Sequence, residues 1–252
     1  MKKVLIALVF IASFLTFTQE SFSQTLFEKM DKLYKAYPDF IDSAVNNTVY
    51  FKDGTQVPFD DGDEKTFEGM FDHPDLEDIF AIEYTPGPNW NSPPPLDFDP
   101  GRIRVESFFG KMYGNSAKEV EANLVKIDWM PKSTNSKVLI TKINGVDKAL
   151  AKVSEELDNL PQEFKKYVTK TAGTFNYRVI AGTDKLSMHS YGIAIDINTK
   201  YSDYWQWNKD MKYVNKIPFE IVEIFERHGF IWGGKWYHYD TMHFEYRPEL
   251  LP

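Results

Sequence analysis

The sequence predicts an α+β fold, in which a small antiparallel sheet is flanked by helices and preceded by an irregular N-terminal extension. Three observations support this class. Helical and strand-like patterns follow one another in the second half of the chain without the regular alternation of a parallel βαβ sheet. Hydrophobic residues make up 42% of the 252 residues and charged residues 26%, which fits a globular protein with a substantial core. Six prolines between residues 84 and 101 indicate an irregular loop there.

The elements of the N-terminal half are predicted from apolar spacing and turn residues. Apolar side chains at helical intervals, from Leu26 to Tyr37, predict an amphipathic helix that ends near Pro38. Two Asp-Gly pairs, at residues 53–54 and 61–62, indicate turns on either side of a short polar segment. The extension is therefore expected to contain one helix, two turns and the proline-rich loop.

The C-terminal half has a more regular pattern. Short apolar and alternating runs predict four strands, at residues 138–143, 175–180, 193–198 and 243–246. One helix is predicted at residues 146–160, ending near Pro161. A second begins at Pro218 and ends before Gly229.

The first 23 residues have the features of a secretory signal peptide. Lys2 and Lys3 precede an apolar run over residues 4–17, and small residues follow at Ser21 and Ser23. The run is 14 residues long, short of the roughly 20 that span a bilayer, so we expect no stable membrane insertion after cleavage. The protein is expected to be secreted or periplasmic. The predicted organisation is a signal peptide (1–23), an N-terminal extension (24–124) and a C-terminal domain (125–252).

Charge and cysteine content limit the partners. A net charge of −8 argues against nucleic-acid binding, which needs a basic surface. The chain has no cysteine, which excludes a disulfide framework and a lipid-attachment thiol. Aromatic residues make up 16% of the chain, which fits either core packing or a surface that binds sugar or peptide. We expect a monomer.

Two histidines and one aspartate form the candidate metal site. His189 lies seven residues before Asp196 in a predicted strand, and His243 begins the last predicted strand. Two imidazoles and one carboxylate are a ligand set that Zn²⁺ accepts at catalytic sites, where the fourth position is left for water. Singly, each residue has an ordinary alternative: Asp196 could accept backbone hydrogen bonds, and either histidine could be solvated. The combination predicts a zinc site.

Asp240, three residues before His243, is the candidate general base that takes a proton from the water. Glu245 lies on the same strand face as His243 by two-residue alternation, so it could orient that ligand or be the base itself. His238 is a candidate spare ligand or substrate contact, and a solvated histidine is its alternative. Among the aromatic side chains, four tryptophans could line a groove or belong to the core: Trp205, Trp207, Trp232 and Trp236.

The segment Ser-Met-His-Ser-Tyr-Gly-Ile-Ala-Ile-Asp at residues 187–196 resembles the S-x-H-x-x-G-x-A-x-D signature of peptidase family M15. Residues 240–246, Asp-Thr-Met-His-Phe-Glu-Tyr, are similar to the family's second signature, in which an acid precedes a ligand histidine by three residues. Residues 175–183 and 232–246 most resemble the endopeptidase-like branch. The resemblance implies a fold of the Hedgehog/DD-peptidase type and a zinc peptidase.

Site roles follow from the resemblance, residue by residue. His189, Asp196 and His243 match the zinc ligands, and Asp240 matches the general base, where many relatives have glutamate. Arg178 matches an arginine that stabilises the oxyanion of the tetrahedral intermediate, and a surface salt bridge is its alternative. Ser187 matches a residue that hydrogen-bonds the substrate, and a turn cap is its alternative.

The resemblance implies a Zn²⁺-dependent peptidase that cuts peptidoglycan stem peptides, of the L-Ala–D-Glu endopeptidase or the D-Ala–D-Ala carboxypeptidase type. The signal-peptide features of residues 1–23 imply that it is exported. One alternative is a non-catalytic, metal-bearing module that binds the cell wall. Another is a general protein-degrading metallopeptidase. The binding module is disfavoured by Asp240 and Arg178, since a pure binder does not need a positioned base.

Overall fold

The computed structural model describes residues 25–207, 210 and 212–252. The predicted signal peptide lies outside the described residues. Two compact units are present: one contains described residues 25–63 and 75–77, and the other contains residues 64–74 and 78–252. The predicted boundary between residues 124 and 125 stays a prediction. In the part of the chain that the structure describes, no helix is both long and apolar enough to cross a membrane.

The first unit combines one helix with a three-stranded antiparallel sheet. Residues 25–36 form the helix (α1), which ends before Pro38 as the apolar spacing predicts. The strands are Ile41–Val45 (β1), Thr48–Phe51 (β2) and Gln56–Pro58 (β3), in the order β1-β2-β3. They were not predicted from the sequence, because each is only three to five residues long. Asn46 and Asn47 connect β1 to β2 with φ of 51° and 57°, the backbone of a two-residue hairpin turn.

The second unit contains six helices and five strands among the described residues. The helices are Phe67–Asp72 (α2), Glu106–Tyr113 (α3), Ala117–Glu121 (α4), Val146–Asp158 (α5), Gln162–Val168 (α6) and Phe219–Arg227 (α7). The strands are Leu124–Trp129 (β4), Ser136–Thr141 (β5), Ala194–Asp196 (β6), Phe230–Trp232 (β7) and His243–Tyr246 (β8). β4 pairs with β5, and a separate sheet has the order β6-β8-β7, with every pair antiparallel. The predicted α+β class with small antiparallel sheets is confirmed.

Helix α7 supports the sheet that carries the candidate site. It follows Pro218, whose φ of −61° suits a helix start, and it packs against β7. Phe225 on its buried face stacks on Phe244 of β8, with ring centroids 3.8 Å apart. Burial of such a side chain stabilises the fold by about 1.5–3 kcal/mol, so α7 holds β8 in place.

The predicted strand at residues 175–180 is wrong. Its backbone amides bind the turn that follows rather than a neighbouring strand. Asn176 N donates to His189 O at 3.2 Å, and Arg178 N donates to Ser190 Oγ at 2.9 Å. Only an isolated bridge between Val179 and Leu186 has ladder geometry. The segment is therefore an irregular support for the turn around His189.

The proline-rich segment at residues 84–101 is irregular, as predicted, and it is fixed at several points within the second unit. Lys235 is buried, and its Nζ donates to the carbonyl oxygens of Thr85 and Gly87 at 2.8 and 3.0 Å. Trp236 Nε1 donates to Pro100 O at 2.7 Å. The segment thus lies along the connection between β7 and β8, which leads into the candidate site.

Candidate active site

Strand pairing brings two of the three predicted ligands together. In the register of β6 and β8, Asp196 lies directly opposite His243. His189 lies in the 3₁₀ turn Met188–Tyr191, which precedes β6. Because His-x6-Asp joins that turn to the strand, the side chains of all three residues meet at the end of the sheet.

The donor atoms of these residues converge. His189 Nε2 lies 3.2 Å from Asp196 Oδ1, and His243 Nδ1 lies 3.0 Å from the same oxygen. One ligand atom from each of the three residues lies within 4.8 Å of the others. Donors around a tetrahedral zinc, at bond lengths of about 2.0–2.1 Å, stand roughly 3.3 Å apart. The two separations are therefore close to the edge of such a tetrahedron.

Hydrogen bonds on the far side of each imidazole set its tautomer. His189 Nδ1 bonds to the carbonyl oxygen of Thr174, and His243 Nε2 lies 2.8 Å from Glu245 Oε2. A carbonyl or an ionised carboxylate can only accept, so these ring nitrogens carry the hydrogen. His189 Nε2 and His243 Nδ1 are consequently the ring nitrogens that face Asp196 and that would bind a metal.

Two observations indicate that the cluster suits a cation. His189 Nε2 is buried and has no hydrogen-bond partner among the described residues. Leaving such a group unsatisfied costs about 1–3 kcal/mol, which a bound metal would offset. Burial would lower the pKa of His243, but hydrogen bonds to Asp196 and Glu245 outweigh burial and raise it to about 10. The carboxylates of Asp196 and Glu245 therefore favour a positive charge at this position. The metal-ligand role of the three residues stays a prediction that this geometry fits.

Glu245 accepts a hydrogen bond from His243 Nε2, the nitrogen that faces away from Asp196. This contact fits the first of its two predicted roles, the orientation of a ligand. It is fully buried, and burial alone would raise its pKa, but the charges of Arg104 and the hydrogen bond to His243 lower it, so it remains ionised. Arg104 Nη2 donates to Glu245 Oε2 at 2.6 Å, and Arg247 Nη1 donates to Oε1 at 3.0 Å. Arg247 Nε donates in turn to Glu249 at 2.5 Å. A buried chain of alternating charges thus fixes the ring of His243.

Asp240 lies in the turn before β8, where His243 N donates to its carbonyl oxygen at 3.2 Å. Its Oδ1 is buried and has no hydrogen-bond partner among the described residues. Burial and the charge of Asp196 raise the pKa of Asp240 to about 7. The turn depends on Gly233, since a Cβ there would come within 2.6 Å of Asp240 O. Asp240 is thus a buried carboxylate near the ligands, with a pKa suited to proton transfer at neutral pH.

A cleft of about 400 Å³ opens onto these residues, and it also contains both substrate-contact candidates. Ser187 is buried and caps the turn of His189, whose N–H lies 3.4 Å from its Oγ. Arg178 is exposed, and its Nη1 donates to Val179 O at 3.3 Å. The cap alternative for Ser187 is therefore present in the structure. Both predicted substrate roles remain predictions.

The cleft also contains residues that the sequence reasoning missed. Arg102 and Arg104 lie on its wall although both precede residue 125. His238, considered as a spare ligand, bonds through Nδ1 to buried Asp99 at 2.5 Å and lies on the same wall. The only sequence signal for this set is the run of charged residues directly after the proline-rich segment. Three of the four tryptophans considered line the cleft (Trp205, Trp207 and Trp236), whereas Trp232 is buried in the core.

Comparison with protein families identifies the region around the cluster. Residues 181–246 match the family described as D-alanyl-D-alanine carboxypeptidase of the M15 peptidases. This region is similar to the M15 peptidases. It contains His189, Asp196, His243 and Asp240, whereas Arg178 and the arginines at 102 and 104 lie outside it. M15 peptidases are generally metal-dependent, which agrees with the possible His/Asp metal-binding triad in the matched region. No curated protein and no solved structure gave a significant match to the chain.

Proposed function

We propose that this chain is an exported zinc-dependent peptidase that hydrolyses peptidoglycan stem peptides, as an L-Ala–D-Glu endopeptidase or a D-Ala–D-Ala carboxypeptidase. The observation that carries the proposal is the convergence of His189 Nε2, Asp196 Oδ1 and His243 Nδ1 near the buried carboxylate of Asp240. The match to D-alanyl-D-alanine carboxypeptidases supports a cell-wall peptide as the substrate. The leader-like residues 1–23 support a secreted or periplasmic location.

The residues of the cleft would divide the reaction among them. Zn²⁺ bound by His189, Asp196 and His243 would lower the pKa of the attacking water and polarise the amide carbonyl. Asp240 accepts the proton of that water and passes it to the leaving amine, for which a carboxylate with a raised pKa is suited. Arg178 neutralises the charge that develops on the carbonyl oxygen.

A digest of purified muropeptides by the zinc-loaded protein, read by mass spectrometry, tests this proposal. We expect either release of a terminal D-alanine or a cut between L-alanine and D-glutamate. Asp240→Asn should lower the rate by roughly 10²–10⁴-fold, the usual contribution of a general base, while the bound zinc measured by elemental analysis stays constant. The matched control is Asp128→Asn, an exposed aspartate that pairs with Lys137 outside the cleft.

The other outcomes separate the alternatives. Zinc-loaded protein that binds muropeptides but cuts none of them would favour a binding module. Cleavage of casein fragments at a rate similar to that of muropeptides would favour a general peptidase. Cleavage that survives Asp240→Asn at the wild-type rate would remove Asp240 from the mechanism.

A further inference from the structure

One wall of the cleft carries a cation that the mechanism above does not use. Arg102 lies on this wall but outside the family match, and Asp99 links it to His238 in a distant part of the chain. Its guanidinium shares the carboxylate of Asp99 with His238. No ligand or base role falls to any of the three.

Asp99 orients both neighbours. It is fully buried, and its Oδ2 accepts from Arg102 Nη1 at 2.8 Å and from His238 Nδ1 at 2.5 Å. Its Oδ1 accepts from the backbone N–H of His238 at 2.9 Å. Burial would raise the pKa of Asp99, but the hydrogen bond from His238 and the charge of Arg102 outweigh burial and lower it. An ionised carboxylate with all these partners fixes the guanidinium in one position.

The guanidinium keeps donors for a ligand. Within the described part of the chain, Asp99 is the only hydrogen-bond partner of Arg102, and it uses one of the three nitrogens. The side chain of Arg102 is 20% exposed, and the residue lines the cleft. A planar guanidinium with two nitrogens available matches a carboxylate in shape and charge.

Arg102 is also close to the reacting centre. The ring of Trp236 lies 5.9 Å from Arg102 Cζ and 5.6 Å from the ring of His243, so one side chain separates the guanidinium from a predicted ligand. Burial and the charge of Asp240 raise the pKa of Tyr204 in the same cleft, and the charges of Arg102 and Arg178 oppose that rise. Since one residue spans about 3.3–3.6 Å, a group bound by Arg102 belongs to a residue next to the cut bond or one further along.

We propose that Arg102 binds the free carboxylate of the substrate residue that supplies the leaving amine. This inference rests on the proposed function and deepens it. Both candidate substrates have such a group. A terminal D-alanine has a free carboxylate, and D-glutamate has two carboxyl groups, of which the chain continues through only one. The cleft is thus selective for an acid at this position over the corresponding amide.

A purely structural role for Arg102 makes a different prediction. Its guanidinium also lies 5.8 Å from the ring of Phe71, so the residue could serve only to join Asp99 to the aromatic side chains around it. Loss of a structural residue lowers the melting temperature and affects acid and amide substrates equally. The preference for the acid is therefore the quantity to measure.

The test compares each peptide with its amidated form, for a D-Ala–D-Ala terminus and for L-Ala–D-Glu. We expect wild-type protein to have a KM for the acid about tenfold lower than for the amide, the scale of one charge-assisted hydrogen bond. Arg102→Gln should abolish that preference, and Arg102→Lys should restore part of it. Arg178→Gln should lower kcat on both forms and keep the preference. Arg227→Gln, on the surface of α7, is the matched control and should behave as wild type.

Calorimetry with the same peptides and zinc-loaded Asp240→Asn protein measures the affinity for the acid and for the amide form without cleavage of either. Equal binding of acid and amide by the Asp240→Asn protein, or a preference that survives Arg102→Gln, overturns the inference and leaves the proposed function intact. A preference lost in Arg178→Gln but kept in Arg102→Gln assigns the carboxylate to Arg178 and also overturns it. If neither peptide form binds or is cut, the proposed function and the inference fail together.

Discussion

The two imidazoles of the candidate site are supported in different ways. His189 has a single outer contact, from Nδ1 to the main-chain carbonyl of Thr174, and it lies in a short turn. His243 lies in a paired strand, and its Nε2 contacts the buried carboxylate of Glu245, which binds two arginines. One support is a neutral backbone group, and the other is a chain of buried charges.

The two kinds of support should respond differently to amino-acid substitution. A backbone carbonyl is present whatever side chain occupies position 174, so the His189 support is insensitive to substitution as long as the backbone keeps its path. The His243 support depends on the charge of Glu245 and, through it, on Arg104 and Arg247. Substituting the residues that support His243 should therefore lower zinc affinity, whereas substituting the residue that supports His189 should not. We call these the sensitive half and the tolerant half of the site.

The largest effect is expected from removing either imidazole. His189→Ala and His243→Ala should each lower zinc affinity by more than the roughly 100-fold that loss of an outer-shell partner costs, since each removes a direct ligand. Elemental analysis after dialysis against a weak chelator measures the bound zinc. Full zinc occupancy in either variant would remove that histidine from the ligand set.

The next largest effect is expected from neutralising Glu245 in the buried chain of charges, which should change both the zinc affinity and the stability of the fold. Glu245→Gln should lower zinc affinity by about 10–100-fold, because a neutral amide accepts the Nε2–H of His243 more weakly than a carboxylate and makes the imidazole a less basic ligand. It should also destabilise the fold by up to about 3–5 kcal/mol, because Arg104 and Arg247 lose their buried counter-charge. Competition with a chromophoric chelator measures the affinity, and thermal unfolding measures the stability.

Glu249→Gln is the matched control for that variant. Glu249 is equally buried and accepts from Arg247 Nε, whereas the partner of His243 Nε2 is Glu245. We expect a comparable loss of stability with zinc affinity within about twofold of wild type. If Glu249→Gln lowers the affinity as much as Glu245→Gln does, the ion chain acts through general stability and not through the orientation of His243.

The sequence predicted the sensitive half better than its surroundings. Strand β8 has its predicted bounds, and Glu245 follows His243 at the two-residue interval that places both on one strand face. Such local periodicity survives folding because β8 is held by pairing on both edges. The partners of Glu245 could not be predicted in the same way. Arg104 lies 141 residues away and reaches the site through a loop without periodicity.

The tolerant half was predicted less well for a related reason. A strand was predicted at residues 175–180, where apolar and polar residues alternate, but the amides there bind the turn around His189. Spacing alone does not reveal that a segment bonds to a turn instead of a strand. The support of His189 by the carbonyl of Thr174 leaves no trace in the sequence, because every residue type has a backbone carbonyl. Only the backbone conformation at position 174 directs that carbonyl toward His189.

A smaller effect should come from the cap of the His189 turn. Ser187→Ala removes an acceptor that lies 3.4 Å from the N–H of His189, and should cost roughly 1 kcal/mol of stability. If the hydroxyl also binds substrate, kcat/KM falls by more than the stability change explains. Ser116→Ala is the matched control, because Ser116 caps α4 at 3.3 Å from the N–H of Glu119 and lies outside the cleft. Equal activity in the two variants would leave Ser187 as a cap only.

The smallest effect tests the tolerant half directly. Thr174→Ala removes a side chain but keeps the carbonyl that accepts from His189 Nδ1, so zinc affinity should stay within about twofold of wild type. Chelator competition on this variant, beside Glu245→Gln, compares the two supports under one measurement. A loss approaching that of Glu245→Gln would mean that the Thr174 side chain, and not only its backbone, positions His189. The contrast between a main-chain and a charged support would then no longer account for the difference between the two halves.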